Sequence, residues 1–161
     1  ISNFFVTQKG FTLIELLVVV AIFGELAAVG VLAFQGFLKN SKEVCAKSNH
    51  KNMVNFTRVT LKNCSINTTI TLLDRNGEDV VRDCSQPGSQ WDGYMRDHFV
   101  GSGFKSCDGS DTAIPIGRAH HTYPPVGQTY YSTDNVANWP FYITTCFAEE
   151  DCKRDIVYWT P

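Results

Sequence analysis

The chain has 161 residues, 43% of them hydrophobic and 19% charged, with a formal net charge of −2. That bounds it to one modest folded domain plus an anchor and excludes a large multidomain enzyme. Its basic side chains are scattered along the sequence, so the clustered cations that displace counterions from phosphates are missing and no direct nucleic-acid site is evident.

Residues 1–10 lack the long apolar core of a secretory signal and carry a single charged side chain, Lys9. They read as a short leader whose basic end stays cytoplasmic. The chain opens on Ile1 rather than Met, so its upstream end is expected to lie outside this sequence. Without Lys9 the balance is 13 basic to 16 acidic side chains, a formal net charge of −3.

Residues 11–38 are apolar all round and contain no Lys, Arg or His, yet they hold Glu15 and Glu25. An acid at the centre of a membrane span costs about 2.5–3.5 kcal/mol on insertion scales. The segment itself offers Glu15 no cationic side chain. The run Lys9-Gly10-Phe11-Thr12-Leu13-Ile14-Glu15 resembles the cleavage region of type IV prepilins and of the related pseudopilins, with the likeness reaching over about the first 55 residues. The resemblance implies that a membrane peptidase cuts after Gly10 and methylates the new terminus at Phe11. It also implies that Glu15 neutralises the terminal amine of a neighbouring subunit during assembly. Glu25 has no counterpart in that scheme. It lies about 15 Å beyond Glu15 along a helix, and one amine per subunit cannot neutralise two acids, so Glu25 is expected to be protonated, wetted, or hydrogen-bonded to Thr12 or a backbone carbonyl of another subunit.

From Lys39 to Asn63 there is no proline or glycine, and Cys45, Ala46, Met53, Phe56 and Val59 share one face opposite Lys51, Asn55, Arg58 and Lys62. The spacing predicts that residues 39–63 continue the first helix, giving one element of about 50 residues and roughly 75–80 Å. A break at Asn40-Ser41, with Ser41 capping a new start, is the alternative. Gly24, Gly30 and Gly36 are its weak points, each less helical than Ala by about 1 kcal/mol.

Residues 64–161 read as a globular antiparallel β head. Thr68–Asp74 and Glu78–Asp83 flank Asn76-Gly77, a turn pair tolerant of positive φ, and predict a hairpin. Further strands are expected at Thr129–Ser132, Phe141–Phe147 and Asp155–Trp159. Ser85–Gly93, Gly101–Gly109 and Tyr123–Gly127, dense in Gly, Pro, Ser and Asp, are expected to be loops. The fold class is α+β and pilin-like: one long N-terminal α-helix packed on a small antiparallel sheet with disulfides.

The six cysteines, Cys45, Cys64, Cys84, Cys107, Cys146 and Cys152, all follow the apolar segment, an even count that suggests up to three disulfides in an oxidising space. On one helix Cys45 and Cys64 would stand about 28 Å apart, far beyond the roughly 7 Å limit of a disulfide. Cys146 and Cys152 are the natural local pair, resembling the small loop near the carboxyl end of many pilins. With that pair set aside, Cys45 is expected to join Cys84 or Cys107, although the sequence alone permits about 15 connectivities. No C-x-x-C spacing occurs, and His50, His98, His120 and His121 form no ligand pattern with the cysteines, so no metal is expected and the histidines read as surface or loop residues.

No catalytic residue or cofactor is indicated. His120-His121 reads as an exposed turn, not a base held by an acid, and the carboxylates of Asp108 and Asp111 read as a solvated turn, lacking the ligands of a calcium loop. The glycosylation triplets at Asn55, Asn63 and Asn67 are read as coincidence. Trp91, Tyr94, Tyr130, Tyr131, Trp139, Tyr142 and Trp159 are expected in the core unless they form an adhesive surface. The resemblance therefore implies a structural subunit, held in the inner membrane as a precursor and polymerised with other pilin subunits into an extracellular pilus. Its partners are the prepilin peptidase/methyltransferase and the inner-membrane assembly machinery. A type II secretion pseudopilin and a minor pilin or tip adhesin are the alternatives. The cysteine-bounded tail favours a pilus, because major pseudopilins characteristically hold calcium in that region and usually lack disulfides.

Overall fold

One helix takes up both the apolar segment and the amphipathic stretch behind it. In the computed structural model, which describes residues 10–110, 112–114, 116–117, 122–133 and 140–158, α1 spans Leu13–Cys64. The alternative break does not occur, since Asn40 and Ser41 are helical, as are Gly24, Gly30 and Gly36. The chain separates into two compact units, Ile1–Lys39 and Asn40–Pro161. In the first, Phe11, Leu13, Leu17, Phe23, Leu32 and Phe37 are all exposed. By length and composition α1 can cross a membrane.

In the second unit α1 buries Ala46, His50, Met53, Val54, Thr57, Thr60 and Leu61. This corrects the expected stripe: Val59 is 57% exposed and Cys45 is exposed, while three polar positions, His50, Thr57 and Thr60, take the seam. His50 and Thr57 are satisfied there by hydrogen bonds, Thr57 donating its hydroxyl to the Met53 carbonyl at 2.8 Å and lying 3.2 Å from the Tyr131 hydroxyl.

The hairpin forms as the turn chemistry predicts. β1 (Thr69–Leu73) and β2 (Asp79–Asp83) pair antiparallel with Leu73 opposite Asp79. Gly77 adopts φ +84°, and the Asp74 carboxylate accepts from the Asn76 and Glu78 amides at 2.8 and 3.0 Å. The following segment corrects the sequence reading: α2 (Gly88–Gly101) starts inside the expected loop Ser85–Gly93, with Pro87 at its N-cap position. Proline pre-sets a backbone angle suited to a helix entry. Trp91, Met95 and Phe99 then fall four residues apart on one buried face.

A second sheet has the order β3-β4-β5-β6, with β3 at Ile116–Gly117, β4 at Thr129–Thr133, β5 at Pro140–Ala148 and β6 at Asp151–Tyr158. β3 runs parallel to β4, and the other pairs are antiparallel. β6 begins four residues before the expected Asp155, because Cys152 pairs in register with Cys146. Trp159 lies outside the described residues, as do Trp139, His120, His121 and Asp111.

The core joins Met53, Val54 and Leu61 of α1 with Leu72, with Trp91, Met95 and Phe99 of α2, and with Tyr131, Phe141, Ile143 and Val157 of the sheet. Phe99 meets the rings of Phe56, Phe104 and Tyr131 at centroid distances of 5.5, 5.4 and 5.9 Å. Trp91 and Tyr131 are wholly buried, so these aromatics serve packing and not an adhesive surface. Gly127 (φ +83°) sits where a Cβ would lie 2.7 Å from the Asp108 amide, leaving no room for a side chain.

Three disulfides bind the unit: Cys45–Cys107, Cys64–Cys84 and Cys146–Cys152. Of the two partners open to Cys45, the fold brings up Cys107. Cys84 instead reaches the end of α1, where the Cys84 amide donates to the Thr68 carbonyl at 2.9 Å.

Candidate functional site

Gly10 is exposed, and nothing stands within 4 Å of where its Cβ would be. Two residues on, Thr12 and Glu15 cap α1 reciprocally. The Thr12 amide and hydroxyl donate to Glu15 Oε2 at 2.8 and 2.7 Å, and the Glu15 amide donates to Thr12 Oγ1 at 3.3 Å. The first helical bond, from Leu16 N to the Thr12 carbonyl, is 3.2 Å long. This is a capping box, in which two orphan donors of the helix start are satisfied at once. The negative side chain also sits at the positive end of the helix dipole.

The sequence reading missed this cap, although Thr-x-x-Glu before an apolar run is its signal. The cap changes the account of Glu15, because the carboxylate has polar partners within its own subunit. A new amine at Phe11 would appear one residue from the Thr12 amide that already holds it. Glu25, on the same exposed part of α1, makes no hydrogen bond or ion pair among the described residues.

The remaining polar constellation lies in the second unit. His50 Nε2 is 2.7 Å from Asp155 Oδ2 and its Nδ1 is 2.9 Å from Thr145 Oγ1. Thr145 Oγ1 is in turn 2.8 Å from Thr129 Oγ1. A neutral ring satisfies every member: Thr129 donates to Thr145, Thr145 donates to Nδ1, and Nε2–H donates to Asp155. Burial lowers the His50 pKa below its ordinary value, against the raising effect of Asp155. Burial alone would raise the Asp155 pKa, but hydrogen bonds from His50 and Lys153 outweigh it and hold the carboxyl below the usual range. The expected surface position of His50 is thus corrected to a buried one, 3% exposed. His98 is half-buried on α2, accepting from the Leu73 amide at 3.0 Å and stacked on Phe56.

Hydroxyl, imidazole and carboxylate in this order are also the groups of a nucleophile–base–acid triad. Here the hydroxyl of Thr145 is wholly buried, out of reach of any substrate, and the network ties α1 to β5 and β6. Asp108 is likewise turned to structure, accepting from the Ser110 amide at 2.7 Å and from Gln128 at 3.0 Å. Among the described residues, no group of three His, Cys, Asp or Glu side chains could hold a metal ion.

Comparison with known sequences agrees with the geometry at the amino terminus. The family model for the prokaryotic N-terminal methylation motif matches residues 6–31. The type IV major pilin protein PilA of Myxococcus xanthus (strain DK1622) is 49% identical over 51 residues, covering 32% of this chain and 23% of that protein. The chain thus spans less than a quarter of the length of that curated relative. No solved structure matches it. The chain carries the N-methylation motif of type IV prepilins on a pilin-like α+β fold, and both matches are to a structural class of protein rather than to an enzyme.

Proposed function

We propose that this chain is a structural subunit of a type IV pilus-like filament, cleaved after Gly10, methylated at Phe11 and polymerised through α1. The reading is supported by one observation: an exposed Gly10 precedes a capped acid, Glu15, at the head of an apolar helical segment whose large side chains, from Phe11 to Leu38, lie exposed among the described residues. Before assembly a membrane covers those side chains; in a filament the helices of other copies do. Removing apolar surface from water is worth about 25 cal/mol per Å², and the gain from lipid is smaller because packing alone distinguishes the two environments. Helix packing then supplies cohesion and Glu15 supplies register, exchanging its Thr12 partners for the amine of a neighbouring subunit. The precursor resides in the inner membrane and the assembled chain on the cell surface.

Mass spectrometry of sheared filaments tests the processing. The mature chain should begin at Phe11 with one added methyl group, and any other amino terminus overturns the assignment. Replacement of the two acids tests the assembly. Glu15→Leu should leave cleavage intact and abolish filaments on electron microscopy of sheared fractions. Glu25→Gln should retain them, since an amide keeps a hydrogen bond, whereas Glu25→Leu should lower the yield. Unchanged yield in Glu25→Leu would remove any essential role for that residue.

A further inference from the structure

Basic residues that look scattered along the sequence meet in the fold. A groove of about 480 Å³ runs along α1 against the β5–β6 edge, lined by Lys47, Lys51 and Arg58 on one wall and by Phe147, Lys153 and Asp155 on the other. The three α1 cations recur at helical spacing, so they share one face. Lys47 already pairs with Glu43 at 2.6 Å, and Lys153 with Asp155 at 3.0 Å. Lys51 and Arg58 are exposed and make no ion pair or hydrogen bond among the described residues. Among the groove's described lining residues Asp155 is the single acid, and it is engaged by His50 and Lys153, while Glu43 and Asp151 lie against Lys47. The groove is therefore a cationic site in a chain of net charge −2.

The complementary charge is also on the molecule. Glu149, Glu150 and Asp151 follow one another at the β5–β6 turn, all exposed, and the flanking Cys146–Cys152 disulfide holds the turn in shape. A stapled turn loses little freedom on docking. Within one copy it reaches only the end of the groove, where Asp151 lies 3.9 Å from Lys47. Arg58 stands about 16 Å further along α1, so a turn fixed at its base cannot cross to it.

We propose that the groove receives the acidic Glu149–Asp151 turn of a second copy of this chain, pairing Lys51 and Arg58 with Glu149 and Glu150. In a filament the contact is heterologous: each copy gives its turn to one neighbour and takes a turn from another, so the series stays open as a fibre. The inference rests on the filament reading above and adds to it an interface outside the apolar helix.

Charge reversal tests it in cells that assemble the full chain. Lys51→Glu with Arg58→Glu, and separately Glu149→Lys with Glu150→Lys, should each reduce sheared filament yield by about tenfold, a modest loss for desolvated charge pairs at an interface. All four substitutions in one chain should restore most of the yield. Accumulation of processed, disulfide-bonded subunit reports folding, and the neutral pair Lys51→Gln with Arg58→Gln gives a second reading if a reversal prevents accumulation. Wild-type yield in all these variants overturns the proposal, and so does a fourfold variant no better than its parents. Wild-type yield coupled to lost binding of DNA or an acidic polysaccharide assigns the groove to a foreign polyanion and also overturns it. Wild-type cells that process the chain but make no filament overturn the filament reading itself, and this proposal with it.

Discussion

His50 is buried next to a carboxylate, and two opposed effects act on its ring. Burial favours the neutral ring, while the hydrogen bond to Asp155 and its charge favour the imidazolium, and burial prevails, so the pKa is lowered from 6.5. His98, half-buried against Phe56, is lowered by burial as well. The unfolded chain therefore takes up protons at these rings as the pH falls through about 6.5, where the folded chain does not. Their contribution to stability is complete above that pH and is lost progressively below it. Asp155, lowered from 3.8, adds a second loss only in stronger acid. Thermal unfolding of the detergent-solubilised chain should show stability dropping between about pH 6.5 and 5, by at most about 1.4 kcal/mol per pH unit for each ring. His50→Asn should remove about half of that slope. It should also cost about 2–3 kcal/mol at neutral pH, by leaving Asp155 and Thr145 short of a partner. A slope unaltered in His50→Asn would show that His50 is not the group held neutral.

At the scale of elements, what could be read from the sequence was local. α1 follows from an uninterrupted helical pattern, and the β1–β2 hairpin from Asn76-Gly77, because both signals lie within a few residues of one another. α2 was obscured by its neighbours: Pro87, Gly88 and Gly93 have the composition of a loop, and only the spacing of Trp91, Met95 and Phe99 marks the helix. β3 has two residues and no period to detect. The burial of His50 depends on Thr145 and Asp155, which are 95 and 105 residues away, and no spacing rule reaches that far. The cationic groove escaped notice for the same reason, since Lys153 joins Lys47, Lys51 and Arg58 only when β6 docks on α1. At the amino terminus the position was reversed. Gly10, Phe11 and Glu15 were legible as a motif, whereas the part Thr12 plays in capping the helix emerged only from its hydrogen bonds with Glu15.

Across the whole molecule, the disulfides are placed where chain entropy alone would leave the globular unit weakest. Two of them grip α1, at Cys45 and at Cys64, so the helix is tied at both ends of its amphipathic half to segments that come later in the chain. The bridges span sequence separations of 62, 20 and 6 residues. A cross-link removes more freedom from the unfolded chain as its loop lengthens, and these separations correspond to about 4, 3 and 2 kcal/mol. Serine replacements made pair by pair should therefore lower the unfolding midpoint most for Cys45 with Cys107, less for Cys64 with Cys84, and least for Cys146 with Cys152. The last pair has a different duty if the acidic turn docks in a neighbouring groove: its removal should depress filament yield more than its small effect on the midpoint would imply. Measuring both quantities on the same three variants separates the roles. A Cys146/Cys152 variant that loses the most stability would refute the entropic ordering, and one that keeps full filament yield would show that the staple does not serve assembly.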